Sequence, residues 1–139
     1  MQIRQVTPRY SVSPQIAPED FPTIKDHGFT IVICNRPDEE NPPPWQSAAM
    51  AEAAKAAGLT FVVIPLTHQT MTPENIARQE LAIAESEGPA LAYCASGTRS
   101  TVIWSLARAA EGIPADEILK TAADAGYDLS GLRPRLEQG

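Results

Sequence analysis

The sequence predicts an α/β fold, a mainly parallel sheet flanked by helices. Three observations carry this. Phe29-Thr30-Ile31-Val32-Ile33-Cys34, Thr60-Phe61-Val62-Val63-Ile64-Pro65 and Ala90-Leu91-Ala92-Tyr93-Cys94 are short, nearly continuous apolar runs, the first two rich in β-branched residues. Such runs mark strands buried on both faces. Longer segments with helix start and stop signals lie between them. The resulting alternation of strand and helix implies parallel pairing with crossover helices on the sheet faces.

In chain order, residues 1–13 read as two short strands, Ile3 to Val6 and Tyr10 to Val12, split by Thr7-Pro8-Arg9. Pro18-Glu19-Asp20 opens a helix, since proline suits the first turn and acids there favour the dipole. Gly28 closes it, with His27 beside it as a C-terminal dipole partner. After the first apolar run, Asn35 to Pro44 is a polar, proline-rich loop. A helix is expected from about Trp45 to Ala57, stopped by Gly58, with its Ala-rich stretch serving close packing. The second apolar run follows. Thr72-Pro73-Glu74 starts another helix, with Thr72 as N-cap, running to about Glu87. Gly88-Pro89 breaks the chain before the third run. Helices over Ser100 to Ala110 and Ala115 to Ala125, and a short one near Ser130 to Leu136, complete the reading. Trp45, Tyr93 and Trp104 are expected in the core.

The 139 residues suit one domain, 1–139, able to bury a core without disulfides or metal. The net charge of −6 argues against nucleic acid and anionic membrane surfaces as partners, which need a basic face. Two cysteines make no disulfide framework, and no apolar run approaches membrane-spanning length. The chain reads as cytoplasmic.

In sheets of this kind ligands sit beyond the carboxyl ends of the strands. Three loops meet there, and one carries chemistry: Cys94-Ala95-Ser96-Gly97-Thr98-Arg99-Ser100, leading from a strand into a helix. Inward-facing amides of Ala95, Ser96, Gly97 and Thr98 would form an anion nest. Gly97 permits positive φ. In such settings a cysteine pKa falls from about 8.5 to roughly 3.5–7.5, which makes Cys94 the candidate nucleophile. Arg99 offers a planar fork for oxyanions. Ser100 or Thr98 is expected to give a hydroxyl to the sulfur or to a substrate oxygen. Cys34 also ends a buried strand, but Asn35-Arg36-Pro37 suits a loop rather than a nest, so core packing is expected there.

These residues resemble a known family. Cys94-Ala95-Ser96-Gly97-Thr98-Arg99-Ser100, together with Cys34-Asn35-Arg36-Pro37-Asp38-Glu39-Glu40, is similar to the beta-lactamase hydrolase-like protein, phosphatase-like domain family, whose members are also described as sulfur transferases. The resemblance implies a fold of the dual-specificity cysteine phosphatase type.

Two departures from the phosphatase pattern stand out. That signature has five residues between cysteine and arginine, whereas four, Ala95 to Thr98, stand here. The shorter loop matches rhodanese-type sulfurtransferases and suits a sulfane sulfur better than a phosphoryl group. The loop Leu66-Thr67-His68-Gln69-Thr70-Met71 also lacks the aspartate that protonates a phosphatase leaving group, a contribution of about 10²–10⁴ in rate. His68 is the nearby titratable substitute, more simply an exposed loop residue. Asp38, Glu39 and Glu40 lie at the same sheet edge, where they either orient Arg36 or Arg99 or remain solvated, with solvation the simpler expectation.

The first expectation is therefore a sulfurtransferase. It would take sulfane sulfur from a small anionic donor onto Cys94 as a persulfide and pass it to a thiol acceptor, without metal or organic cofactor. The alternatives are a phosphoester hydrolase working through a phosphocysteine, with Ser100 assisting the departing thiolate, and a non-catalytic anion-binding or thiol redox-sensing module in which Cys34 and Cys94 pair reversibly.

Overall fold

The computed structural model describes residues 1–138. The strands are β1 (Arg4–Thr7), β2 (Tyr10–Ser13), β3 (Ile31–Cys34), β4 (Thr60–Val63) and β5 (Ala90–Tyr93), in one sheet of order β1-β2-β5-β3-β4. β2, β5, β3 and β4 pair in parallel, and β1 adds an antiparallel edge next to β2. The helices are α1 (Phe21–Asp26), α2 (Ser47–Ala56), α3 (Pro73–Glu85), α4 (Thr98–Ala110), α5 (Ala115–Asp124) and α6 (Arg133–Glu137). No helix among the described residues is long and apolar enough to cross a membrane.

Strand alternation divides the core into two layers. Val32, Cys34, Leu91 and Tyr93 face a layer with Phe21 and Ile24 of α1 and Met50 and Ala54 of α2. Ile31, Ile33, Ala90 and Ala92 face the other layer, built with α3, α4, α5 and α6. The small Ala90 and Ala92 share that layer with α4. Ser100 through Ala107 of α4 are all buried, as is Ala109. Polar side chains tolerate that burial because the helix satisfies them: Thr101 Oγ1 donates to Gly97 O and Ser105 Oγ to Thr101 O, each at 2.8 Å.

The sequence-based boundaries shift where local bonds decide them. α2 begins at Ser47 rather than Trp45, because Gln46 is extended and Asp38 accepts from Ser47 N (2.7 Å) and Ser47 Oγ (2.9 Å), fixing the helix start. Pro43–Trp45 is a separate 3₁₀ turn, and Trp45 is exposed rather than in the core. Tyr93 and Trp104 are buried as expected. The last helix divides into a 3₁₀ turn, Ser130–Leu132, and α6. Thr72 caps α3 by accepting from Asn75 N at 3.2 Å, and His27 Nδ1 lies 2.7 Å from Thr23 O at the end of α1.

Candidate active site

The loop between β5 and α4 joins a fully buried strand to a largely buried helix. Cys94 is fully buried at its floor. Gly97 takes φ 95° and forms the N-cap of α4. Its amide donates to Cys94 Sγ at 3.1 Å. Thr98 N goes to Ser96 Oγ (3.3 Å), while Ala95, Ser96, Arg99 and Ser100 have no amide acceptor among the described residues. Several N–H groups thus remain to receive an anion at the helix N-terminus, where the dipole favours one. The Thr98 hydroxyl does not approach the sulfur as expected. It accepts from Ser96 Oγ at 2.9 Å, out toward solvent.

Arg99 stands beside the sulfur, with its guanidinium held from outside. Nη1 donates to Glu40 Oε2 (2.8 Å) and Leu66 O (2.9 Å), and Nη2 donates to Glu40 Oε1 (2.8 Å). A guanidinium has five N–H donors in a fixed fork. These bonds use both on Nη1 and one on Nη2, leaving Nε–H and the second Nη2–H side by side, the spacing that grips two oxygens of one oxyanion. Glu40 also accepts from Arg36 Nε at 3.1 Å. The hydrogen bonds from Arg99 hold the Glu40 carboxyl below the usual carboxylate range, and they raise Arg99 in turn. The solvated reading of this acidic run fails for Glu40, whose carboxylate lies at the surface but clasps two arginines.

Beneath the loop lies a polar cluster that sequence reasoning missed. Asn35 and Gln79 form a reciprocal amide pair, with Asn35 Nδ2 to Gln79 Oε1 at 2.9 Å and Gln79 Nε2 to Asn35 Oδ1 at 3.1 Å. Asn35 Nδ2 also donates to Ile64 O (3.0 Å), and Gln79 Nε2 to Tyr10 Oη (3.2 Å). Tyr10 Oη in turn donates to Ser100 O at 2.7 Å. Ser100 Oγ donates to Asn35 Oδ1 at 2.8 Å. The Ser100 hydrogen is therefore committed to Asn35 and does not serve the sulfur, a correction to the expectation. These four side chains are buried, and their bonds tie β2, the β3 loop, α3 and the first turn of α4 together.

The other predicted accessory residues separate. Cys34 is in the core, its Sγ 3.4 Å from Arg36 O, and burial pushes its thiol up. Its strand partner is Tyr93 rather than Cys94, and both cysteines are free. Arg36 bridges Glu40 and Gln15, with Nη1 to Gln15 Oε1 at 3.2 Å. Asp38 is an α2 capping residue and not part of the site. His68 is exposed on its loop. The described residues contain no group of three or more His, Cys, Asp or Glu arranged to hold a metal. A cavity of about 630 Å³ opens elsewhere, between β4 and α3, lined by Thr60, Val62, Arg78 and Leu81 among others. It includes no residue of the nucleophile loop.

Comparison with known proteins agrees with this geometry. The family model for the beta-lactamase hydrolase-like protein, phosphatase-like domain, matches residues 2–111. A beta-lactamase hydrolase-like protein of Agrobacterium fabrum is 32% identical over 139 residues, and one of Xylella fastidiosa is 31% identical over the same length. Each alignment covers 99% of this chain but 32% of the relative, so the chain spans about a third of their length. Among solved structures, a candidate phosphatase from Neisseria meningitidis superposes with a TM-score of 0.89 at 35% identity, covering 99% of this chain and 98% of that one. PTPMT1 superposes with a TM-score of 0.76 at 13% identity, covering 98% and 92%, a likeness of fold alone. The mainly parallel sheet with flanking helices is thus of the cysteine phosphatase type, as the sequence led us to expect.

Proposed function

This chain belongs to the beta-lactamase hydrolase-like protein, phosphatase-like domain family, and from that footing we propose that it is a cysteine-dependent phosphomonoester hydrolase. The observation that carries the reading is the side-on fork left on Arg99 after Glu40 and Leu66 have taken its other donors. A tetrahedral phosphoryl group presents oxygens at the spacing of that fork, and the free loop amides take the remaining oxygen charge. The likeness to phosphatases favours hydrolysis over sulfur transfer, for which the four-residue spacing and the missing loop aspartate speak.

In this mechanism the Cys94 thiolate attacks phosphorus, an S–P bond forms and the P–O bond to the leaving group breaks. Water then cleaves the phosphocysteine to inorganic phosphate and restores the thiolate. Cys94 has no exposed surface, so substrate entry moves the side chains above it. No carboxylate stands on the β4–α3 loop, and Glu40 is held ionised by two arginines. The leaving oxygen therefore departs without an enzymic carboxylic acid. That restricts good substrates to leaving groups that are stable as anions, aryl phosphates before alkyl ones.

The deciding experiment compares aryl phosphate turnover with intact-protein mass spectrometry after thiosulfate treatment. Phosphate release abolished by Cys94→Ser, with a trapped phosphocysteine, is the expected outcome. A persulfide on Cys94 alone with no phosphate release would overturn the hydrolase in favour of sulfur transfer.

A further inference from the structure

We propose that Tyr127 is a positioning residue for the nucleophile, holding the Ser96–Gly97 peptide so that its amide hydrogen stays on the Cys94 sulfur. The inference rests on the reading of Cys94 as a nucleophile. Gly97 N donates to Cys94 Sγ at 3.1 Å. The chain contains no cis peptide among its described residues, and in a trans peptide the N–H and C=O of one unit point in opposite directions. The Ser96 carbonyl therefore points away from the sulfur, to the back of the loop. There Tyr127 Oη donates to Ser96 O at 3.0 Å. The phenol packs so closely that a Cβ on Gly97 would overlap its hydroxyl.

This bond matters because of what Gly97 permits. Glycine at φ 95° resists rotation of its preceding peptide less than any other residue. Half a turn of that peptide would aim the Ser96 carbonyl dipole at the sulfur and disfavour its anion. The Tyr127 hydrogen bond opposes the turn. It also polarises the peptide, and linked hydrogen bonds strengthen one another in a low-dielectric site. A carbonyl only accepts, so the phenol must keep its proton, and burial raises Tyr127 in that direction.

Other groups also face the sulfur. Arg99 stands beside it, and Tyr10, Cys34 and Tyr127 lie within reach of its charge. Arg4 of β1 stands beside Tyr127 and Gly126. Tyr10, Cys34, Arg99 and Arg4 are unchanged in a Tyr127→Phe variant, which removes one oxygen and keeps the ring. Tyr127 lies beyond the segment 2–111 that the family model matches, in the turn after α5.

The test is alkylation of Cys94 by iodoacetamide, located by peptide mass spectrometry, in the unaltered protein and in Tyr127→Phe. Rates are taken at about pH 6 and about pH 9.5, on either side of an ordinary thiol's ionisation. Losing part of a charge-assisted hydrogen bond predicts a roughly three- to tenfold slower rate at the lower pH, with no change at the higher one. Equal rates at both pH values overturn the proposal. So does a proportional change at both, which reports access to the sulfur alone. Failure of Cys94 to react in the unaltered protein overturns it too. Alkylation requires no phosphoester turnover, so this result stands apart from the hydrolase reading. Turnover of aryl phosphate with unchanged alkylation would sink the role of Tyr127 and leave the enzyme intact.

Discussion

Replacing Arg99 with lysine separates charge from geometry. Arg99 makes three bonds to Glu40 and Leu66 and keeps two parallel donors for the substrate. An ammonium has three N–H groups on one atom, so it cannot keep these three contacts and also grip two substrate oxygens. Removing a preorganised oxyanion donor lowers kcat by about 10²–10³, or roughly 3–4 kcal/mol of transition-state stabilisation. Arg99→Lys is therefore expected to lose about 10²–10³ in kcat/KM for an aryl phosphate while retaining its positive charge. Stability should move little, because Glu40 is partly exposed and such pairs contribute about 1 kcal/mol or less. Steady-state kinetics and urea unfolding on the same preparation measure the two quantities. A loss below about threefold in kcat/KM would refute the fork, since a point charge would then suffice. A large activity loss matched by a large fall in stability would refute it as well.

Two further outcomes test the surroundings. Gln79→Leu removes three buried hydrogen bonds and strands one donor of Asn35, so urea unfolding should show about 2–3 kcal/mol lower stability at unchanged m; a change under about 0.5 kcal/mol would mean that the cluster is not the tie described here. Glu40 has its carboxyl lowered by Arg99 and Arg36, so the stability it contributes is fully present above the ordinary glutamate value of 4.5 and is lost as pH falls through its depressed folded value. The stability difference between the native protein and Glu40→Gln should accordingly hold level from neutrality to about pH 5 and shrink only in stronger acid. A difference that vanishes by about pH 6 would contradict the double clasp.

Much of the architecture was legible because the signals are contiguous. β3 and β5 are buried on both faces, which an unbroken apolar run records directly. Cys94, Gly97 and Arg99 lie within six residues, so one loop displays them together. The cluster under the loop was not legible. Tyr10, Asn35, Gln79 and Ser100 are far apart in the chain, and a glutamine in mid-helix looks like any solvent-facing residue until the fold closes over it. Ser100 was expected to address the sulfur because it follows Arg99, but the first turn of α4 directs it down to Asn35. Among three consecutive acids, nothing in composition distinguishes Glu40. The 3₁₀ turn over Asp38–Glu40 aims the first at α2 and the third at Arg99. Trp45 misled because its aromatic bulk suggested the interior, whereas the prolines before it hold that stretch on the surface. Tyr127 had no sequence signal beyond a turn.

The enclosure of α4 has a consequence for how the protein fails. The run Ser100–Ala107 of α4, packed among α3, α5 and α6, has no solvent-facing side from which to fray, and the nucleophile loop leads directly into it. Local opening free energies rise toward the global value in so deeply buried a run. Amide exchange over Ser100–Ala107 should then proceed only through whole-molecule opening. On heating, inactivation and melting would follow a single curve, with no temperature window in which a folded protein has already lost its catalytic loop.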